Sequence, residues 1–337
     1  MNIRWILIMS AIIAFFPLIS IAASSPSINL NYAEFVVPSA DYQAIKSNSF
    51  LKDYFSASDE EVNCTDPTNC WRSFFLGGQQ TYVEIFEQSP NALITNGNIF
   101  LTTEKHVGDI ELVRTQVAQT FEAPAETVFE NVTYALNGKI INWFKDFYVM
   151  NHLPNYVYDQ ALYVMEYAPE FLREKYPNDP TRWGITRKQY NFSWYRSDRM
   201  LRDLYEIEYR LNPTEFEEQV RMLRVLKVRL LELGNEVWAR GEGFRLHLTR
   251  APGNSNQNGI QSLKFKIAHQ TDTPKTIQIG PHVRLLVNSD EAVLHLDYRG
   301  LDPTDTLTST KPGLLPRPLR SGLGRGDETH TLLKATL

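Results

Sequence analysis

The stretch Ile28-Asn29-Leu30-Asn31-Tyr32-Ala33-Glu34-Phe35-Val36-Val37-Pro38-Ser39 decides how the rest of the chain is read. Its apolar and β-branched residues alternate as in a strand. Pro38-Ser39 then stops the strand and opens a helix, because proline fits the first helical turn and cannot continue a ladder. The helical stretch runs from Ser39 toward Phe55, with a break expected at Ser47-Asn48-Ser49. Two strands follow, Trp71 to Leu76 and Thr81 to Glu87. They are separated by the turn signal Gly77-Gly78, and Tyr82, Glu84 and Phe86 share one face of the second. One unit is therefore a strand, a helix and a small meander.

The same order returns twice. Residues 98 to 104 read as a strand, and Gly108-Asp109 opens a helix carrying Ile110, Val113, Val117 and Phe121 at helical spacing. Strands resume near Val128, Asn137-Gly138 marks a hairpin between Val132–Leu136 and Lys139–Phe144, and Ala161 to Tyr167 closes the unit. A third round begins with a strand over Leu204 to Leu211, capped by Asn212 with Pro213 at the first helical position. Its apolar stripe, Phe216, Val220, Leu223, Leu226, Leu230 and Leu233, predicts one helix that ends at Gly234. Strands are then expected over Glu236 to Thr249, Ser262 to Ala268, Val283 to Val287 and Ala292 to Tyr298. This reading divides the chain into a paired βαβββ region over 27–172, a connector over 173–199 that resists assignment, a third βαβββ-like unit over 200–299 and a disordered tail over 300–337. The fold class expected is α+β, with repeated βαβββ units forming curved, mostly antiparallel sheets.

Residues 1 to 23 have the layout of a secretory signal peptide: one early charge at Arg4, an apolar run from Trp5 to Phe16, then Pro17 and small residues at Ala22 and Ala23. A retained anchor is the other reading of this run. The expectation is a secreted or periplasmic protein that leaves the membrane once the signal is cleaved. In an oxidising compartment Cys64 and Cys70, enclosing a turn-rich spacer, read as a small disulfide loop. A formal net charge of −5 provides no basic surplus for phosphate backbones, so nucleic acid is not an expected partner. The sequence has no Gly-x-Ser-x-Gly elbow, phosphate loop or His-Glu-x-x-His.

A strand, a helix and three strands repeated along a chain resembles the vicinal oxygen chelate superfamily of glyoxalases, extradiol dioxygenases and bleomycin-resistance proteins. More narrowly, Leu30-Asn31-Tyr32 and Met165-Glu166-Tyr167-Ala168-Pro169-Glu170-Phe171-Leu172 resemble two segments of an uncharacterised glyoxalase-like family. The resemblance covers residues 28 to 298. It implies paired units whose sheets form a cleft, with a divalent metal held from the first and last strands of each unit. Under it, Glu84 and Glu166 are the metal positions and Tyr32, Glu84 and Glu166 the ligand-binding set. The fourth slot falls near Phe100 to Thr102, where no histidine stands, and His106 and His152 are loop residues within possible reach. His295 and Asp297 make a further pair on the last strand of the third unit.

Away from the resemblance, strand glutamates such as Glu84 and Glu166 are commonly solvent-facing or paired with arginine, and Tyr32 is commonly a core residue. Three functions follow: a small-molecule-binding protein with a degenerate metal site, a metal-dependent lyase, isomerase or dioxygenase using Glu84 and Glu166, and an interaction module. An unmated third unit is expected either to pack on the connector or to pair with a second chain as a homodimer. The activity readings need Glu84 and Glu166 to face one another across a shared hollow.

Overall fold

The computed structural model describes residues 26–66, 69–88, 97–121, 127–136, 138–149, 161–252, 258–268 and 273–298. Residues 1–25 and 299–337, which hold the expected signal peptide and tail, lie outside them, as does His152.

β1 (Ile28–Val37) stops at Pro38 and α1 (Ser39–Ser47) follows. The Asn48 side chain accepts from the Leu51 amide at 3.1 Å, and the chain tightens into a π-helical turn over Leu51–Phe55. β2 (Ala57–Asp66), β3 (Asn69–Gly77) and β4 (Tyr82–Glu87) complete the first module. β2 is absent from the sequence reading, because its Ser-Asp-Glu-Glu run has no apolar alternation to announce it. Cys64 and Cys70 are register partners in the β2/β3 pair. The second module is β5 (Asn98–Thr103), α2 (Asp109–Phe121), β6 (Thr127–Leu136), β7 (Lys139–Val149) and β8 (Leu162–Tyr167). The two modules join in one eight-stranded sheet of order β2-β3-β4-β1-β5-β8-β7-β6.

Residues 201–296 correct the expectation of a single third unit, because they hold two modules that mate with each other. β9 (Leu201–Leu211) leads into α5 (Pro213–Val225), after the short connector helices α3 (Pro169–Lys175) and α4 (Arg187–Asn191). Asn212 and Glu215 form a reciprocal cap at the start of α5. The predicted long helix is then cut short. Lys227 turns the chain at φ 58°, and Leu230 and Leu233 belong to β10 (Arg229–Leu233), which pairs with β11 (Glu236–Arg240) around Gly234-Asn235. A stripe at spacing three and four also fits an edge strand, on which Leu230 packs against the core while its neighbours face outward. Leu231 and Leu233 are 58% and 56% exposed.

β12 (Arg245–Arg250) closes the third module, and β13 (Gly259–Ile267), β14 (Lys275–Gln278), β15 (Val283–Val287) and β16 (Glu291–Leu296) make the fourth. This sheet has the order β10-β11-β12-β9-β13-β16-β15-β14, matching the first strand for strand. The fourth module has no helix between β13 and β14 among the described residues. One chain reversal is thereby lost, so β16 runs antiparallel to β13, whereas β4, β8 and β12 run parallel to the first strands of their modules. The internal mate removes the reason for expecting a dimer.

One core runs from Ile28 to Leu296, including α1, α2 and α5 and one face of each sheet. Polar ties bind the halves. The Asp203 carboxylate accepts from the amides of Gln80 (2.6 Å) and Thr81 (3.0 Å), Tyr209 donates to the Gly97 carbonyl (2.6 Å), and His282 Nδ1 meets Asp41 Oδ2 at 2.8 Å. Gly78 lies in this seam, where a Cβ would stand 2.5 Å from the Arg202 carbonyl. No helix among the described residues is long and apolar enough to cross a membrane.

Candidate functional site

Tyr32 is fully buried on the face of the first sheet away from the main core. Register places Tyr82 and Phe100 opposite it and Tyr163 opposite Phe100. Strands are about 4.8 Å apart, so rings at matched positions stack. The centroid separations from Tyr82 to Tyr32, Tyr32 to Phe100 and Phe100 to Tyr163 are 4.4, 4.0 and 4.4 Å, with interplanar angles of 11°, 8° and 11°. The first and last strands of both modules thus meet in an aromatic ladder, where the resemblance implied metal ligands.

Glu84 lies two residues beyond Tyr82 on the same face, in register with Glu34, and both carboxylates are buried. Asn98 donates to Glu34 at 2.9 Å. Glu166 is elsewhere. Tyr163, Met165 and Tyr167 share the ladder face of β8, so strand alternation turns Glu166 to the helical side. There it accepts from the amides of Gly108 (2.8 Å) and Ile110 (3.1 Å) and the hydroxyl of Thr103 (3.0 Å), capping α2. Glu84 and Glu166 therefore occupy opposite faces of one sheet, and the shared hollow does not form between them. Thr102 donates to the Met165 carbonyl, and His106 is exposed in the turn before α2.

The connector covers the ladder. Tyr190 of α4 stacks on Tyr167 at 4.3 Å, and Trp194 packs edge-on against Tyr82 at 5.5 Å and Phe75 at 5.6 Å. Burial drives the Tyr82 and Tyr167 phenols well above their ordinary range, so both remain protonated. Among the described residues no group of three His, Cys, Asp or Glu side chains is placed to hold a metal ion. The aromatic residues in the implied slots do not fit one.

A cavity of about 600 Å³ opens instead at the seam between the halves, with Gln80, Glu104, Lys105, Arg187, Asp203 and Lys266 among its lining. Arg187 is its best-fixed group. Its Nη2 and Nε hold Glu104 at 2.9 and 3.1 Å, its Nη1 donates to the Leu30 carbonyl at 2.5 Å, and its own amide donates to Glu104 at 2.9 Å. Such a forked pair presets the guanidinium plane. Burial raises the Asp203 carboxyl above its usual value, against the lowering effect of the Gln80 and Thr81 amides. The sequence reading left Arg187 inside the unassigned connector. The available signal was Thr186-x-x-Gln189, which forms a capping box and starts α4.

In the second sheet, the positions matching the ladder are Arg245, Glu206, Lys264 and Val293, and the adjacent row on the same face, matching Glu84, Glu34 and Asn98, is His247, Glu208 and Ser262, with His295 opposite Ser262. Trp238 stacks on His247 at 3.9 Å and 9°, and Ser262 donates to Glu208 at 3.0 Å. Burial, and then the Arg284 charge, lower the His295 pKa. His295 thus belongs to this row. Asp297 lies beyond β16, where its amide donates to the His282 carbonyl.

Two sheets of paired modules, three of them βαβββ and the fourth without its helix among the described residues, define a vicinal oxygen chelate-like fold. Residues 30–296 match the family of unknown function DUF5829, and the chain belongs to that family. No curated protein matches significantly. Among solved structures, a hypothetical protein from Staphylococcus aureus is similar at 12% identity and a TM-score of 0.48, over 75% of this chain and 96% of that one. A mutant of 4-hydroxymandelate synthase from Streptomyces coelicolor is similar at 15% identity and a TM-score of 0.40, over 70% of each chain. Both likenesses are too distant to bear on activity.

Proposed function

We propose that this chain is a small-molecule-binding protein of glyoxalase-like plan, without a metal in its first module pair, and that its ligand occupies the seam cavity. The observation that carries this reading is a polar-lined volume of about 600 Å³, within the usual range of ligand pockets, built around the immobilised Arg187–Glu104 pair. A ligand there touches both halves, so its binding stabilises the whole fold by mass action. A metal-dependent lyase, isomerase or dioxygenase using Glu84 and Glu166 loses its basis, since those carboxylates are on opposite faces.

A thermal-shift screen of polar metabolites tests the proposal with the wild type and Ser27→Trp, whose indole fills the cavity wall. Stabilising compounds should act on the wild type and lose their effect on the variant. A screen with no hits, or equal stabilisation of both proteins, contradicts it. The signal-like first 23 residues support export, and the register of Cys64 with Cys70 supports a disulfide closing the β2/β3 hairpin. Mature-protein mass with and without reductant tests both readings.

A further inference from the structure

Two residues along from the His247 row, a second row crosses the same face: Arg229, Arg240, Arg245, Glu206 and Lys264 are successive register partners on β10, β11, β12, β9 and β13. Alternation places them on the face opposite the core, because their strand neighbours Leu230, Ala239, Leu246, Ile207, Leu263 and Phe265 all contribute to it. Four cations share one carboxylate. Glu206 is nearly fully buried and is already engaged by Arg245 at 2.7 Å and Lys264 at 2.5 Å. Arg229 and Arg240 are exposed, and among the described residues neither has an ion-pair partner.

Like charges directly opposite on neighbouring strands destabilise a sheet, and Arg229, Arg240 and Arg245 repeat that placement across three strands. The chain as a whole is acidic, at −5, so this cationic row is a local concentration. An unfavourable charge alignment held on an open face marks a place where an external anion supplies the missing countercharge. From β10 to β13 the row spans four strand spacings, roughly 19 Å. Guanidinium forks suit sulfate and carboxylate oxygens.

We infer that this row binds a linear acidic polysaccharide, its sulfate or carboxylate groups seated against Arg229, Arg240 and Arg245. Single-stranded nucleic acid fits less well, because binding it relies on free aromatic platforms. Here Trp238 is stacked on His247, and Tyr205 lies beneath the Arg245 and Lys266 cations at 5.3 and 5.7 Å.

The test uses the full chain on immobilised heparin and immobilised polygalacturonate, with neutral dextran, anionic phospholipid vesicles and single-stranded DNA as alternatives. Wild type should be retained on at least one acidic polysaccharide and released by salt. The double variant Arg229→Gln/Arg240→Gln should bind roughly tenfold more weakly, the scale of two exposed charge contacts. It should also unfold at the same or a higher temperature, since repulsion is relieved. Arg224→Gln, which removes a cation paired with Glu232 at 2.7 Å outside the row, should bind as wild type. Equal retention of wild type and double variant, equal weakening by Arg224→Gln, or binding to vesicles or single-stranded DNA without binding to either polysaccharide overturns the inference.

Discussion

The ladder face of the first sheet and the matching face of the second occupy equivalent register positions with opposite chemistry. In the first, Tyr82, Tyr32, Phe100 and Tyr163 stack and the connector seals them. In the second, Arg245, Glu206, Lys264 and Val293 take those positions, beside a row of His247, Glu208, Ser262 and His295. One strand plan therefore serves as a packed core in one half and as a polar surface in the other. Module topology fixes where side chains meet, and residue choice decides whether the meeting place is sealed or open to a ligand.

The sharpest contrast lies between the corresponding faces of β5 and β13. Phe100→Ala removes a ring stacked on both sides and should cost about 3–5 kcal/mol, whereas Ser262→Ala on the matching face of the second sheet, at the position equivalent to Asn98, should cost under about 1.5 kcal/mol. Urea unfolding of both variants measures the difference, and equal costs would break the comparison. Arg187→Met leaves the largely buried Glu104 at the seam cavity without its partner. A loss of about 3 kcal/mol is expected, together with loss of cavity binding, measured by the same unfolding and by calorimetry.

Smaller effects sharpen the account. Glu166→Ala removes the α2 cap and should cost about 1–2 kcal/mol without altering ligand binding, which separates a capping role from a site role. On the polar face, the His295 pKa is lowered in the folded state, so the unfolded chain binds more protons just below the ordinary histidine value of about 6.5. This contribution to stability is full above that value and declines as pH falls toward the lowered pKa. His295→Gln should flatten that slope, read from denaturant midpoints across the window. Lys227→Gly should raise stability by a few tenths of a kcal/mol up to about 1, because Lys227 holds a left-handed φ of 58° that glycine adopts freely.

The module plan was legible wherever local signals agreed. Pro38 after β1, the Ile110–Phe121 spacing and the Asn212–Pro213 cap each place an element on its own. The candidate site was not legible in this way. Which residue on β4 lies beside Tyr32 depends on register, and the pairing irregularity between Leu30 and Tyr32 shifts the β1–β5 alignment by one residue. Glu84 and Glu166 looked equivalent as last-strand carboxylates, but a difference of one residue in phase sends them to opposite faces. β10 was hidden because its leucines extended the α5 stripe. Arg187 was hidden because its partners Glu104 and Leu30 are remote in sequence.

Hydrogen exchange on the protein with a stabilising compound from the metabolite screen tests the central claim most directly. Binding at the seam should slow exchange at residues 27–30, 80–81, 203–204 and 241–243 and leave Phe100, Tyr163 and the β1 residues from Tyr32 onward unchanged. Protection centred on Tyr32, Phe100 and Tyr163, with none at the seam, would show that the sealed face opens to receive the ligand and would contradict the account.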